Sequence, residues 1–269
     1  MPVAKKHVLI TGSTSGIGYE LAKLFAADGY NILAVARSPK ELEQTASELQ
    51  LAMDITVHSF QKDLFHPKAA CELYNDIKAR GIRVDVLVNN AGQGLYGEFV
   101  DTELSKELDI IQLNIISLVS LTKLFLRDMV KRGAGKILNV SSVAAKSPGP
   151  WQSVYHATKA FVQSFTEAIR EEVKDKGVVV TALLPGLTDT DFFRKAEMES
   201  SKAVRGTSWK ASPSDVARDG YNALMEGKDM VISGVRNKLE AGLDAITSDS
   251  KLARQTAKAQ KPVKKRNRY

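Results

Sequence analysis

The sequence Thr11-Gly12-Ser13-Thr14-Ser15-Gly16-Ile17-Gly18 decides the fold, because it joins an apolar strand to a helix through a glycine-rich turn. Residues 7–10 before it are typical of a buried strand, and apolar side chains at three- and four-residue steps over 17–25 predict a helix. Such a turn lets backbone N–H groups approach a phosphate, and the positive end of the helix dipole favours the bound anion. Glycines are also ordinary turn residues, so this stretch alone leaves nucleotide binding and a plain turn as equal alternatives.

Length and composition predict a single α/β domain over residues 1–250. The chain has 269 residues, of which 43% are hydrophobic, and both values suit one soluble domain of this class. The sequence shows no uninterrupted apolar run near the ~18 residues of a membrane span and no signal-peptide pattern at its start. Cys71, the only cysteine, excludes an internal disulfide. We interpret it as a small core residue and expect a cytoplasmic protein.

The positive charge is concentrated in residues 251–269. This stretch holds 8 of the 38 Lys and Arg residues and none of the 31 Asp and Glu residues, so the rest of the chain is close to neutral. We predict a flexible, solvated tail. The alternative, a contact with nucleic acid or anionic lipid, is less favoured.

Predicted strands and helices alternate along the chain. Continuous apolar runs predict strands at 7–11, 31–36, 55–60, 84–89, 135–140, 178–184 and 229–232. Helices are predicted between them, at 16–28, 39–52, 67–80, 103–131, 153–176 and 213–226. This order predicts a Rossmann-type doubly wound parallel sheet of seven strands with helices on both faces, in which ligands bind at the C-terminal strand ends.

The end of the second predicted strand distinguishes between two dinucleotide cofactors. In dinucleotide-binding folds an acidic residue there binds the ribose 2′-hydroxyl, whereas an arginine accommodates a 2′-phosphate. Here Ala36 occupies the acidic position, Arg37 follows, and the next acid is Glu41. Because arginine binds phosphate with two hydrogen bonds, we expect NADP(H) rather than NAD(H). The alternative is that Arg37 is only a surface charge.

Two further strand ends contribute candidate cofactor contacts. Asp63-Leu64 follows the third predicted strand, where the aspartate either accepts a hydrogen bond from the adenine amino group, caps the next helix or shapes a turn. Asn89-Asn90-Ala91-Gly92 ends the fourth, and its small residues let the backbone lie against a flat ligand. For Asn89 and Asn90 a role in stabilising the turn is at least as well supported as direct catalysis.

Tyr155 and Lys159 lie four residues apart in a predicted helix, which places them on one face, one turn apart. A tyrosine pKa near 10 must fall by about 2–3 pH units for proton exchange near neutrality, which takes roughly 3–4 kcal/mol. A lysine ammonium about 4 Å away supplies energy on that scale. We therefore predict that Tyr155 moves the proton and that Lys159 lowers its pKa, although most such pairs are ordinary surface pairs.

Ser142 and Asn114 complete the candidate catalytic residues. Ser142 follows a predicted strand, where ligand-facing groups gather, and its hydroxyl can polarise a carbonyl and stabilise the developing oxyanion. Ser141 is interpreted as structural. Asn114 lies within the helix predicted at 103–131, although asparagine is a poor helix former. This placement favours a polar task, and we expect Asn114 to hold a water that links Lys159 to solvent.

With these residues, the chain resembles the short-chain dehydrogenase/reductase family, in its branch of about 250 residues. The resemblance rests on TGSTSGIG at 11–18, NNAG at 89–92, Asn114, Ser142, YHATK at 155–159 and Pro185-Gly186. It implies hydride transfer between nicotinamide and a carbonyl carbon. Tyr155 is then the acid/base, Ser142 orients the carbonyl, Lys159 also contacts the ribose, and Asn114 organises a relay. Cofactor contacts are also implied at Pro185, Gly186, Thr188 and Thr190.

Two features of the sequence differ from those of particular members of the family, and they bear on the expected activity and assembly. Three residues separate Gly12 from Gly16 and one separates Gly16 from Gly18, a spacing that argues against a nucleotide-sugar epimerase. The chain also lacks the glycine-rich C-terminal strand that seals the tetramer of acyl-carrier-protein reductases. We therefore expect a homodimer through the helices predicted at 103–131 and 153–176, with a tetramer as the alternative.

Residues 191–212 are predicted to form a loop over the substrate. The aromatic and apolar residues expected at this pocket are Phe192, Phe193, Met198, Trp209, Trp151 and Tyr96. Apolar pockets with a few polar groups are the usual design, so we expect a hydrophobic ketone, an aldehyde or a 3-oxoacyl-type substrate, and no metal site. Alternatively, these residues only pack the loop. A protein that senses its cofactor with little turnover is a further alternative, but such a protein is expected to lose the Tyr155–Lys159 pair.

Overall fold

The computed structural model describes residues 5–205, 210–244 and 247–263. Its sheet has seven parallel strands in the spatial order β3-β2-β1-β4-β5-β6-β7, which confirms the predicted fold class. The strands are β1 His7–Thr11, β2 Asn31–Ala36, β3 Val57–Gln61, β4 Val86–Asn89, β5 Gly135–Val140, β6 Val178–Leu184 and β7 Met230–Ile232. The order reverses between β1 and β4, and a crevice forms at such a switch point.

Eleven α-helices occur in the described part of the chain. They are α1 Gly16–Ala27, α2 Pro39–Ala52, α3 Ala69–Ala79, α4 Leu104–Ile111, α5 Leu118–Arg132, α6 Ser153–Val173, α7 Phe192–Lys195, α8 Lys202–Arg205, α9 Pro213–Met225, α10 Val235–Asp244 and α11 Asp249–Gln260. A π-helical segment, Gln112–Ser117, joins α4 to α5. The helix predicted at 103–131 is therefore continuous, but its hydrogen-bonding pattern changes in the middle.

The sheet separates two hydrophobic cores. Alternate residues of a strand face opposite sides, so Val8 and Ile10 pack with Phe25 of α1, while Leu9 packs with Phe125 of α5. Helices α1, α2 and α9 contribute to the first core, and α3, α5 and α6 contribute to the second. Strands covered on both faces need continuous apolar sequences, which is the pattern that predicted them.

The structure bears on two further expectations, the burial of Cys71 and the absence of an apolar membrane-length segment. Cys71 is exposed on α3 rather than buried in the core. The continuous helix Leu104–Arg132 is long and apolar enough, by length and composition, to cross a membrane, although no uninterrupted apolar run in the sequence indicated it. Half of its most apolar window is buried in the protein, where Phe125 and Met129 belong to a core. Packing against the sheet therefore accounts for part of its apolar character.

The C-terminal region differs most from the prediction, because α11 occupies the first part of the expected flexible tail. Leu252 and Gln260 of α11 are buried, and the Tyr96 hydroxyl donates a hydrogen bond to the backbone oxygen of Gln260. Ser201 forms an isolated bridge with Pro262, which attaches the chain beyond the helix to the start of α8. The boundary predicted at residue 250 thus lies inside a packed helix, and residues 264–269 lie outside the described residues.

Candidate active site

The C-terminal strand ends around the switch point line a continuous cleft. A cavity of about 530 Å³ contains Tyr155 and Lys159, and a second, of about 400 Å³, contains Arg37. Gly92, just after β4, lines both cavities. The cleft therefore runs from the end of β2 to α6, with the turn between β1 and α1 at its centre, as expected for an open α/β sheet.

The glycine-rich turn is shaped by close contacts that exclude side chains. Gly16 has a φ of 54°, and a Cβ there would lie 2.9 Å from Cγ2 of Thr190. A Cβ at Gly18 would lie only 2.1 Å from the backbone oxygen of Gly12. The first position needs the left-handed conformation that glycine tolerates, and the second lets α1 pack directly on the turn. Thr14 and Ser15 line the second cavity, and Ile17 lines the first.

The polar groups of the turn test whether it fits a dinucleotide. Ser13 is fully buried and lines neither cavity, whereas Thr14 and Ser15 line the second cavity with their hydroxyl-bearing side chains. Hydroxyl groups can donate hydrogen bonds to phosphate oxygens. The turn also stands at the N-terminus of α1, where the helix dipole favours an anion. These donors fit the pyrophosphate of a dinucleotide.

The asparagines after β4 hold the turn to its neighbours. Asn90 donates through Nδ2 to the backbone oxygens of Thr11 at 2.9 Å and Gly12 at 3.1 Å. The backbone N–H groups of Asn90 and Ala91 both donate to the Thr11 hydroxyl, at 3.0 Å each. Asn89 donates to the Asn139 side chain at 2.8 Å. These contacts show that Asn89 and Asn90 stabilise the turn. Asn90 and Gly92 also line the first cavity.

At the adenosine end, Arg37 lies in the second cavity with its guanidinium 5.2 Å from the centre of the Phe65 ring. Glu41 lines the same cavity and accepts a hydrogen bond from the Thr14 hydroxyl at 3.0 Å. The Asp63 carboxylate accepts from the backbone N–H of Phe65 at 3.1 Å, which is the turn-shaping alternative. Leu64 is buried beside it, and both Asp63 and Leu64 line the cavity.

The catalytic candidates Ser142, Tyr155 and Lys159 meet in the first cavity. Only 9% of Tyr155 is exposed, and its hydroxyl is hydrogen-bonded to that of Ser142. The Lys159 ammonium lies 5.8 Å from the centre of the Tyr155 ring and donates to the backbone oxygen of Val140 at 2.9 Å. Helix α6 therefore presents both groups to the end of β5, as the four-residue spacing predicted.

The direction of the tyrosine pKa shift is opposite to the prediction. Burial raises the pKa of Tyr155 to about 12, and the hydrogen bond to Ser142 offsets only part of this effect. Burial also lowers the pKa of Lys159 to about 8. Both shifts have one cause, since a buried site penalises whichever form carries charge. The expectation that Lys159 acidifies the phenol is thus wrong for the protein alone, and Tyr155 keeps its proton at neutral pH.

Asn114 lies in the π-helical segment behind the cavity. Its Nδ2 donates to the Gln93 backbone oxygen and to the Thr158 hydroxyl, at 3.0 Å each. Its Oδ1 accepts from the Gln93 backbone N–H at 3.1 Å. A Cβ on Gly92 would lie 3.2 Å from Lys159 Nζ and 3.3 Å from Asn114 Oδ1. Asn114 therefore fixes the loop beside Lys159, and the water that it was expected to hold stays a prediction.

Residues 185–190 close one side of the first cavity. The backbone oxygen of Pro185 accepts from the Ser142 hydroxyl at 3.4 Å, and Thr188 donates to the backbone oxygen of Gly186 at 2.9 Å. Thr190 lies over the glycine-rich turn through its contact with Gly16. The predicted contacts Pro185, Gly186, Thr188 and Thr190 all line this cavity.

The far end of the first cavity is apolar and is only partly the surface that the sequence predicted. Phe192, Phe193 and Met198 line it, and the Phe192 ring centre lies 5.3 Å from that of Tyr155. Trp151 and Tyr96 are not among its lining residues. Trp209 lies outside the described residues.

Sequence reasoning missed a second set of lining residues at this end. They are Gln152 and His156 of the active-site region, Asn237, Ala241 and Asp244 of α10, and Leu252, Gln255, Thr256, Ala259 and Gln260 of α11. Their three- and four-residue spacing along α11 was a readable helical signal. The basic composition of the same stretch favours a solvated tail, and the two signals point in opposite directions. Within residues 5–205, 210–244 and 247–263, no group of three or more His, Cys, Asp or Glu side chains is arranged to hold a metal.

Comparisons with known proteins agree with this geometry. A family model described as short chain dehydrogenase matches residues 6–201. Dehydrogenase/reductase SDR family member 7B of Danio rerio is 32% identical over 243 residues, 87% of this chain and 79% of that protein. Very-long-chain 3-oxoacyl-CoA reductase of Bos taurus is 36% identical over 193 residues, 68% of this chain and 60% of that protein. A solved short-chain dehydrogenase from Sphingobium yanoikuyae, in complex with NADPH, has a TM-score of 0.80 at 27% identity, covering 90% of this chain and 96% of that one.

Proposed function

Because the chain belongs to the short-chain dehydrogenase/reductase family, a family of oxidoreductases, we propose that it is an NADP(H)-dependent enzyme that interconverts a carbonyl and a secondary alcohol on a largely apolar substrate. The meeting of Ser142, Tyr155 and Lys159 in one buried cavity carries this proposal. That cavity continues into a cleft whose glycine-rich turn fits a dinucleotide. This arrangement supports a role for Tyr155 as a proton donor at the end of a nucleotide cleft.

The side chains divide the work of carbonyl reduction. The Ser142 and Tyr155 hydroxyls, which are bonded to each other, together receive the carbonyl oxygen and stabilise its developing charge. The neutral phenol of Tyr155 gives its proton to that oxygen. The buried Lys159 ammonium then stabilises the phenolate. When bound, the reduced dinucleotide supplies the hydride. The oxidation direction reverses these proton movements.

The preference for NADP(H) is supported by the charges at the end of β2. Arg37 lines the adenosine cavity, and Ala36 stands where a ribose-binding acid is expected. Lys195 also lines this cavity and adds a second cation to it. Glu41 opposes this preference, but its carboxylate is held by the Thr14 hydroxyl at 3.0 Å. The NADPH complex of the structural relative from Sphingobium yanoikuyae agrees with the choice.

The substrate class is proposed from the lining of the first cavity. Phe192, Phe193, Met198 and Leu252 give it apolar walls, which favour a hydrophobic ketone or aldehyde. The relative named a very-long-chain 3-oxoacyl-CoA reductase adds 3-oxoacyl thioesters to the compounds that merit testing.

A substrate panel with both cofactors tests the proposal, run on the wild type and on Tyr155→Phe. The substitution keeps the ring and removes only the proton carrier, so we expect turnover to fall at least ~100-fold while NADPH binding, measured by fluorescence titration, is retained. Tyr74→Phe is the matched control, because its hydroxyl bonds Asp128 and neither residue lines the two cavities of the cleft. NADPH binding without oxidation by any carbonyl would instead favour the cofactor-sensing alternative.

A further inference from the structure

Two buried glutamines with unpaired amide atoms lie in the first cavity. Gln152 precedes α6, Gln260 ends α11, and both line the cavity that contains Tyr155. Gln152 is 4% exposed and Gln260 is 7% exposed. Nε2 of Gln152 and Oε1 of Gln260 have no hydrogen-bond partner in the described part of the chain. Buried polar atoms are paired in the great majority of cases, so an unpaired donor and an unpaired acceptor in one cavity need an explanation.

The assignment of the free atom on Gln260 follows from His156. Nδ1 of His156 lies 2.8 Å from the backbone oxygen of Ser147, which can only accept, so Nδ1 carries the proton. Burial lowers the pKa of His156, which leaves the ring neutral and makes its Nε2 an acceptor. The Gln260 side-chain nitrogen, 3.1 Å from that Nε2, must therefore donate. Oε1 of Gln260 is left as a free acceptor.

The Gln152 amide lies close to the reacting group, and Gln260 is held in place by its neighbours. A Cβ on Gly94 would lie 3.2 Å from Nε2 of Gln152 and 3.4 Å from Cδ2 of Tyr155. The free donor is thus beside the ring of the proton carrier. The Tyr96 hydroxyl donates a hydrogen bond to the backbone oxygen of Gln260. The side-chain nitrogen of Gln260 is hydrogen-bonded to His156. Both glutamines are therefore buried side chains of the cavity wall and not surface side chains.

We propose that Gln152 and Gln260 bind a second polar group of the substrate, separate from the reacting carbonyl, and that this group is neutral and both accepts and donates hydrogen bonds. The inference rests on the proposed oxidoreductase function and adds the substrate class. A hydroxyl or a secondary amide can accept a hydrogen bond from Nε2 of Gln152 and donate one to Oε1 of Gln260. A carboxylate has no hydrogen for Oε1 of Gln260, and an ammonium has no lone pair for Nε2 of Gln152.

Apolar walls and this polar pair together define the substrate. Phe192, Met198 and Leu252 surround the bulk of the molecule, and the two amides recognise one hydroxyl or amide on it. A site with buried hydrogen-bonding groups discriminates strongly against an analogue that leaves them unpaired. The expected substrate is therefore a hydroxylated or amide-bearing hydrophobic ketone, rather than a plain aliphatic ketone or a keto acid.

Ring-substituted acetophenones test the two amides separately. Compounds with hydroxyl, methoxy or methyl at the same ring position are compared by kcat/KM with NADPH, at each position of the ring. Methoxy accepts but does not donate, so it pairs Gln152 alone, whereas hydroxyl pairs both glutamines. We expect the wild type to prefer hydroxyl over methoxy, and methoxy over methyl, by about 3- to 10-fold at each step.

Isosteric variants assign each preference to its residue. Gln152→Met should abolish the preference for methoxy over methyl, and Gln260→Met should abolish the preference for hydroxyl over methoxy. Gln163→Met is the matched control on α6, because its amide bonds the surface carboxylate of Glu167, and it should keep both preferences. Unchanged preferences in the first two variants would overturn the inference while leaving the oxidoreductase function intact.

Thermal unfolding supplies a second, independent measurement. Gln152→Met replaces a buried amide whose Nε2 is unpaired with an apolar group of similar shape, so the Tm of the ligand-free protein should rise. A fall in Tm would mean that the Gln152 amide has a structural partner, and it would overturn the inference. If no carbonyl of the substrate panel, the acetophenones included, oxidises NADPH with the wild type, the proposed function fails. The same preferences are then read from Kd values of the matching 1-phenylethanols by calorimetry, and equal affinities would overturn the inference.

Discussion

At the scale of single residues, burial changes the pKa values of Tyr155 and Lys159 more strongly than either residue changes the pKa of the other. Tyr155 and Lys159 were found from their spacing, because four residues on a helix bring two side chains to one face whatever the surroundings. Their pKa values could not be found in this way, since desolvation depends on everything packed around them. The partner of Gln260 was equally hidden, because His156 and Gln260 are 104 residues apart in sequence.

The lowered pKa of Lys159 should make the free energy of unfolding depend on pH. Its pKa in the folded protein is about 8 against an ordinary 10.5, so the unfolded chain binds more protons between these values. Stability contributed at this site therefore rises as the pH increases from about 8 to 10.5, by roughly 3 kcal/mol. Lys159→Met, which is neutral throughout, should be the more stable protein at pH 7 and lose that advantage by pH 10.5.

Urea unfolding of the wild type and Lys159→Met over this pH range checks the prediction. The difference between the two free energies of unfolding is the quantity to follow, because groups common to both proteins cancel. Lys176→Met, at an exposed position after α6, serves as the control for the loss of a surface lysine. A difference that stays constant from pH 7 to 10.5 would contradict the assignment of Lys159 as a buried, desolvated amine.

Arg37 should decide the cofactor preference. A charge-assisted pair with a 2′-phosphate contributes about 1.5–3 kcal/mol, so Arg37→Ala should raise the KM for NADPH by roughly 10- to 100-fold. The KM for NADH should stay nearly constant, because NADH lacks that phosphate. Arg218→Ala, which removes an exposed arginine of α9 paired with Asp215, is the control. Equal changes for NADPH and NADH would assign Arg37 to a general surface role.

At the scale of elements, the sheet and its covering helices were predictable, whereas the walls of the first cavity were predictable only at Phe192, Phe193 and Met198. All seven strands were placed within two residues, because strands buried on both faces must be continuously apolar. Helix ends such as Gly133, with a φ of 66°, were marked by the glycine that a left-handed cap requires. Helix α11 has neither of these two signals, and its three- and four-residue spacing stands in a basic stretch that favours a solvated tail. Its few buried residues are separated by basic ones, and its packing depends on Tyr96 and His156 from distant elements.

Tyr96→Phe should show that α11 belongs to the substrate site and not to the cofactor site. The substitution removes the hydroxyl that anchors Gln260 and keeps the ring packed with Phe193. Loss of one hydrogen bond, worth about 0.5–1.5 kcal/mol, should lower kcat/KM for the carbonyl substrate by roughly 3- to 10-fold. Because none of the predicted cofactor contacts that line the two cavities lies on α11, the Kd for NADPH should be unchanged.

Removing residues 264–269 provides the comparison for Tyr96→Phe, since that change leaves α11 whole. This shorter chain should keep the wild-type kcat/KM. If it lost as much activity as Tyr96→Phe, the basic end rather than the position of α11 would control the substrate site.

At the scale of the whole molecule, helices α4 and α6 carry exposed apolar side chains. Leu104 and Leu108 of α4 are 68% and 53% exposed, and Phe161 of α6 is 41% exposed. Helices α4 and α6 pack against each other, so these side chains belong to neighbouring surfaces. Clustered exposed apolar residues mark interaction sites. They occur on the two helices through which the sequence predicted a homodimer, and we keep that assembly as a prediction.

Leu108→Arg should convert a homodimer of this kind into monomers. In a two-fold interface each substitution appears twice, so an arginine at this position would bring two buried, unpaired charges to the contact, at a cost of several kcal/mol. Size-exclusion chromatography with light scattering would then give a dimer mass for the wild type and a monomer mass for the variant. Leu51→Arg is the matched control, because Leu51 is 90% exposed on α2, away from both helices. A monomeric wild type would refute the dimer, and a Leu51→Arg monomer would move the interface to α2.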